Sequence, residues 1–184
     1  MYPLDLLACG AIKRNIATAE AMSVVVAMWN MTTARTLLRV HIDTALRFSA
    51  AWLVDDPHNF ATKVLAGERI DKLKDRAGHL LRDAYLVKSR SSDYPWLPAV
   101  YERLSGYIHL SGSHIYDTVQ ELGDDGTISF DIRATDHKFP ESSWVEVLDC
   151  FSESSEILAW YLRGYIDTKA LSPNELTSLR EKDA

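Results

Sequence analysis

The chain has 184 residues, 47% apolar and 25% charged, with 20 basic residues against 26 acidic ones and a net charge of −6. Eight glycines, six prolines and two cysteines exclude collagen-like, low-complexity and disulfide-scaffold classes, and leave one globular domain over 1–184 as the expectation. The acidic balance weighs against nonspecific nucleic-acid binding, which rests on phosphate neutralisation.

In chain order, residues 1–14 lack the basic start, apolar run and cleavage site of a secretory leader. The apolar stretch 21–31 carries Ser23 and Asn30 and falls short of the ~20 residues that a spanning helix needs, so no membrane association is expected. Cys9 and Cys150 are isolated from one another, which suits a reducing cytoplasm. From Ile16 to Val54 the sequence has neither Gly nor Pro; Val24, Met28, Met31, Leu38, Ile42, Ala45 and Phe48 line apolar faces at helical steps, with a break expected at Thr32-Thr33. Arg39, Asp43 and Arg47 follow one another at four-residue spacing, as an ion-pair ladder does. Asp56-Pro57 is a cap and a first-turn proline, and Gly67 closes the short helix that it starts.

Ile70, Leu73, Ala77, Leu80, Leu81 and Ala84 space as the stripe of another helix, and 91–98 is a proline-bearing loop. A helix is predicted from Pro98 to about Leu122. Asp124-Asp125-Gly126 is turn chemistry, and residues 127–133 alternate as a half-buried strand, with a partner sought at 136–139. A last long helix begins near Glu141, with Trp144, Val147, Leu148, Phe151, Leu158, Leu162 and Tyr165 on one side. Ser172-Pro173-Asn174-Glu175 is a capping box that opens a short helix over about 173–182. The fold predicted is mainly α: a helical bundle with a small β-hairpin insertion, about 126–139, before the last long helix.

Charge is uneven. Residues 63–90 hold eight basic side chains against four acidic, and 124–167 hold ten acidic against three basic. Two solvated helix faces account for this; the sharper alternative is a basic face for a phosphate-bearing ligand.

The segment 101–116 carries the most chemistry. Placed on a helix, it sets Val100, Leu104, Ile108, Ser111 and Ile115 toward the core. Glu102, Ser105, Gly106, His109, Gly112, Ser113 and Tyr116 form a second stripe, a shallow trough for a partner helix or ligand. Two glycines inside a helix cost about 1 kcal/mol each, which such a contact offsets. Arg103 precedes His109 by six positions.

An α-rich chain with Arg103, five intervening residues and His109 on a late helix resembles the HEPN superfamily and its Arg-x(4–6)-His pattern. The surroundings Tyr101-x-x-Leu104-Ser105-x-x-x-His109 are similar to bacterial members grouped with abortive-infection and other defence proteins. The resemblance implies a metal-independent endoribonuclease of a defence or toxin type, usually a homodimer, with RNA as substrate and an antitoxin or other protein as partner. His109 is then the acid/base on the ribose 2′-hydroxyl and Arg103 the phosphate clamp, which suits imidazole and guanidinium chemistry. Ser105 and Tyr107 supply auxiliary hydrogen bonds, and Asp43 from an earlier helix orients His109 or binds Arg103. Active members often carry a polar residue directly after the arginine; here it is Leu104. A non-catalytic HEPN-like module that binds a partner helix or a phosphate-bearing ligand is the alternative.

No metal or cofactor is expected. His109, His114 and Asp117 are poorly spaced for one ion, and neither HExxH nor GxxxxGK[ST], GxGxxG or GxSxG is present. Trp96, Trp144, Trp160 and Tyr161 read as core rather than as base-stacking platforms.

Overall fold

The structure is a computed structural model and describes residues 1–172 and 175. It is a mainly α bundle with a two-stranded hairpin before its last long helix. In order it comprises α1 (Pro3–Ala27), α2 (Met31–Ser49), a 3₁₀ turn (Ala50–Trp52), α3 (Pro57–Leu65), a 3₁₀ turn (Ile70–Lys72), α4 (Asp83–Arg90), α5 (Leu97–Ser105), α6 (Gly112–Thr118), β1 (Val119–Leu122), β2 (Ile128–Phe130) and α7 (Glu141–Thr168).

α2 is the central helix. It packs on α1 and α7 along its length and receives α4 and α5 on its remaining side. Met31, Ala34, Leu38, Ile42, Ala45 and Phe48 are buried on it, at the three- and four-residue steps that the sequence predicts. Val24 is instead exposed on α1 and Met28 exposed at its C-cap, and the start of α1 at Pro3 is not foreseen in the sequence reading.

The break between the first two helices falls at Met28–Asn30, not at Thr32-Thr33. Trp29 N–H bonds Val26 O at 2.9 Å and Asn30 N–H bonds Val25 O at 3.0 Å, a Schellman closure with Trp29 in the left-handed region at φ 54°. A bulky residue there is strained. The strain is offset by packing of the indole edge-on against Trp144, 5.6 Å between ring centres. Asn30 then caps α2, accepting from Thr33 N–H at 2.9 Å, so the threonines open the helix rather than interrupt one.

His41 lies in the core between three helices. One ring nitrogen is 2.7 Å from Thr18 Oγ1 on α1, the other 2.7 Å from Ser155 Oγ on α7, and Phe151 stacks on the ring. Thr18 donates its proton to the Arg14 and Asn15 carbonyls, so its oxygen accepts from Nδ1–H, and Nε2 accepts from Ser155. Burial, then the Arg14 charge, pushes the imidazole down to about 4.

The predicted helix over Ile70–Ala84 does not form. The Asp75 carboxylate accepts from Ala77 N–H and His79 N–H and from the Tyr85 hydroxyl, folding 74–80 into a tight turn closed by a Lys74–Leu80 bridge. Local side-chain bonds to the backbone win over an apolar period. The helix resumes only at Asp83.

The strand at 128–130 pairs antiparallel with 119–122, not with 136–139, so the hairpin spans 119–130 rather than 126–139. Its loop is Asp124-Asp125-Gly126, with Gly126 at φ 84°, where a side chain would be strained. On α7 the predicted stripe is buried or half-buried except for Leu148, which is exposed. Trp144 and Tyr161 are core and Trp96 packs against it, whereas Trp160 is 61% exposed. The predicted C-terminal helix over 173–182 lies outside the described residues save Glu175. There the reciprocal bonds of the capping box are made: Ser172 N–H to Glu175 Oε2 at 2.8 Å and Glu175 N–H to Ser172 Oγ at 3.4 Å.

Candidate functional site

The helix predicted from Pro98 to Leu122 is broken. α5 ends at Ser105, the chain bends through 106–110, and α6 restarts at Gly112 with Ser111 as its cap. Ser111 Oγ accepts from Ser113 N–H and donates to Gly106 O at 2.7 Å. A Cβ on Gly106 would lie 2.8 Å from Ser113 Oγ. The small residues therefore serve a turn within the chain and not a trough on a continuous helix. Of the predicted core stripe, Leu104 is buried and Val100 half-buried, but Ile108 and Ile115 are exposed.

The bend sets the candidate pair. Arg103 sits in the last turn of α5 with its side chain 61% exposed, and its guanidinium meets Glu146 Oε1 of α7 at 2.9 Å. His109 stands in the bend, exposed, with no hydrogen bond, ion pair or ring contact to any of the described residues. The structure thus joins Arg103 to Glu146 and leaves His109 open to solvent. Of the other predicted residues, Ser105 Oγ bonds Tyr101 O in its own helix, and Glu102, Gly112 and Tyr116 are exposed.

Tyr107 is buried and is the anchor of the segment. Its hydroxyl donates to Asp117 Oδ2 at 2.9 Å and accepts from Arg35, and its carbonyl accepts from Thr36 Oγ1 at 3.1 Å. Arg35 lies 3.3 Å from Asp117 and stacks over the Tyr107 and Phe139 rings. Burial, opposed by Arg35 and reinforced by Asp117, pushes the phenol up to about 12. It remains a neutral donor at physiological pH. The His114 ring is 5.4 Å from that of Tyr107, and its Nδ1 accepts from Ser111 N–H at 3.4 Å.

Asp43 reaches neither His109 nor Arg103. It lies 2.7 Å from Arg47 and 3.5 Å from Arg39, and both arginines also bind Asp83 of α4. Arg39 stacks 3.5 Å over the Tyr101 ring. The predicted ladder is a four-charge network tying α2 to α4 and α5, with a structural part to play.

Sequence reasoning missed Arg35, Thr36 and Asp117 as the framework of the bend. Their signal was faint: Asp117 follows His114 by three, and Arg35 extends the Arg39 series by one turn. Among the described residues no group of three or more His, Cys, Asp or Glu is placed to hold a metal. Cys9 is exposed, and burial pushes the Cys150 thiol up to about 11. The basic segment contributes Lys63, Lys72 and Lys74 to a cavity of about 400 Å³ beside α3, but Asp55, Asp56, Glu68 and Asp75 line it too, which leaves no basic field. No helix among the described residues is long and apolar enough to cross a membrane. No protein-family model, curated protein or solved structure matches the chain.

Proposed function

We propose that this chain is a HEPN-like helical protein that cleaves single-stranded RNA without a metal, as a homodimer, with His109 as the proton-transfer group and Arg103 as the phosphate clamp. The observation that carries the reading is the bend after α5. It leaves the His109 imidazole exposed, without a partner among the described residues, a few residues beyond an arginine that is also open to solvent. The reaction is a transesterification. An imidazole takes the proton of the ribose 2′-hydroxyl, whose oxygen attacks the adjacent phosphorus; the bond to the 5′ oxygen breaks, and that oxygen leaves with a proton. The products are a 2′,3′-cyclic phosphate and a 5′-hydroxyl. Arg103 faces the charge that develops on the phosphate oxygens. An exposed ion pair such as Arg103–Glu146 contributes little and yields to a phosphate.

The non-catalytic reading has its own support: Arg103 is already engaged by Glu146, and Leu104, where active members often carry a polar residue, is buried in the core. In that reading the segment binds a protein partner, an antitoxin among them, or a phosphate-bearing ligand. Incubating the purified chain with single-stranded RNA in EDTA decides between the two. Cleavage to cyclic-phosphate ends, falling about 100-fold or more in His109→Ala, is expected of proton-transfer catalysis. RNA left intact by the folded wild-type chain refutes the nuclease and leaves the binding module.

A further inference from the structure

The cavity of about 400 Å³ beside α3 has two walls, and each is shaped from within the chain. On one wall Asn59, Phe60 and Lys63 share a face of α3 at three- and four-residue steps. Asp56 starts that helix by accepting from His58 N–H and Asn59 N–H, both at 2.9 Å. On the other wall residues 72–75 run past α3, held by Leu81 N–H to Leu73 O at 2.9 Å and by Arg76 N–H to Leu53 O at 3.0 Å. The Asp75 carboxylate is taken up by the Ala77 and His79 N–H groups and the Tyr85 hydroxyl. Two of the four acids at the cavity are thus spent on building its walls, and the hollow exists before anything enters it.

What it can hold follows from the side chains left over. Val54, Phe60 and Leu73 are buried and supply an apolar floor. Lys63, Lys72 and Lys74 bring three ammonium groups, and Asp55 and Glu68 bring two carboxylates. None of these five side chains has a hydrogen bond or ion pair among the described residues, whereas nearby Arg69 turns to Asp71 and His79 to Asp75. Charges of both signs therefore line one hollow without closing on each other. The network of Arg39, Asp43, Arg47 and Asp83 behaves in the opposite way, all four drawn together within 3.5 Å contacts. A purely anionic ligand meets the two free carboxylates and a purely cationic one the three ammonium groups, and like charges facing each other cost affinity. A ligand with one charge of each sign and an apolar body satisfies both sets and the floor. In a free amino acid both charges sit on one carbon; a dipeptide parts them by a further ~3.8 Å, which suits groups that are held apart.

We infer that the cavity beside α3 binds a short zwitterionic peptide, with its terminal carboxylate on Lys63, Lys72 and Lys74, its terminal ammonium on Asp55 and Glu68, and an apolar side chain on Phe60 and Leu73. Neither Arg103 nor His109 lines the cavity, so peptide binding and RNA cleavage stand or fall separately.

Backbone amide shifts of the full chain, followed by heteronuclear NMR at low salt during titration with the dipeptide leucyl-leucine, test it. Saturable shifts confined to residues 54–75 are expected, with a dissociation constant of about 1 mM or below. Acetylating the peptide's amino end, or converting its carboxyl end to an amide, should each weaken binding at least about 10-fold. Lys72→Glu should weaken leucyl-leucine by about 10-fold and leave the peptide amide unaffected, and Asp55→Asn should weaken leucyl-leucine and leave the acetylated peptide unaffected. Both positions are exposed, and unchanged far-UV circular dichroism shows that the variants fold. No saturable shift up to about 10 mM overturns the inference, as do shifts centred elsewhere or blocked peptides that bind as well as the free one. Inorganic phosphate moving the same amides as strongly makes the cavity an anion site instead, and free leucine binding as tightly removes the peptide; either result overturns it.

Discussion

Acid should loosen this bundle through one side chain, His41. The ring is 2% exposed, and both of its nitrogens are occupied by hydroxyls on neighbouring helices. Its folded value is about 4 against an ordinary 6.5. The unfolded chain therefore binds a proton that the folded chain refuses between those two values. Stability is full above about pH 6.5, declines as pH falls, and levels off below about 4 as far as this group is concerned. At about 1.4 kcal/mol per pH unit the loss is roughly 3 kcal/mol, a large share of the 5–15 kcal/mol that holds a typical domain. Urea unfolding from pH 7.5 to 4.5 measures it, with His41→Leu as the control. The leucine removes the titration without stranding its neighbours, because Thr18 still bonds the Arg14 and Asn15 carbonyls and Ser155 the Phe151 carbonyl. The variant should lose most of the slope in that window. An equal slope in both proteins would refute the assignment of the acid sensitivity to His41.

Other outcomes follow from the remaining contacts. Asp43→Asn should destabilise by about 1–3 kcal/mol in denaturant titrations, since Arg39 and Arg47 keep only Asp83, yet should leave any RNA cleavage rate unchanged because the network does not touch His109. Asp136→Ala should cost about 1 kcal/mol, read as a shift in melting temperature, because its carboxylate caps α2 at Met31 N–H (2.8 Å) and Thr32 N–H (3.3 Å). Glu146→Gln frees Arg103 and should tighten single-stranded RNA binding several-fold in a low-salt filter assay, an effect erased by Arg103→Ala. Gly106→Leu should destabilise by about 1–3 kcal/mol through its clash with Ser113, without changing the protein's molar mass in solution.

The parts of the fold that are local were legible in the residue order. Asp56-Pro57 starts α3 as predicted, with the carboxylate accepting from His58 and Asn59 N–H, and α7 begins at Glu141 with its stripe turned inward. The misreadings share a cause. Across 98–122 and 70–84 an apolar period persists, but Ser111 and Asp75 offer the backbone local hydrogen bonds that end the helix, and a period count is blind to that competition. The partner of β2 was hidden because Val119 and Leu122 are three apart and continue a helical stripe on paper. The site suffered likewise. Arg103 and His109 were identifiable as chemistry by residue type, but that Arg103 turns to Glu146 and that Tyr107 is pinned by Arg35 and Asp117 depends on helices remote in sequence. The ladder of Asp43 with Arg39 and Arg47 is legible in its four-residue spacing, but that both arginines also turn to Asp83 of α4, away from the bend, is not.

The stretch from Tyr107 to Asp136 is fastened at both ends to the start of α2. Tyr107 is held by Arg35 and Thr36, and Asp136 by Met31, Thr32 and the Trp29 carbonyl. The chain thus departs from the scaffold and rejoins it at one doorway, the opening turns of α2. Everything in between is an outgrowth with adjacent feet. Outside Asp117, which holds Tyr107 and Arg35, its length and sequence can change without re-registering the core helices, and the underlying bundle stays as it is.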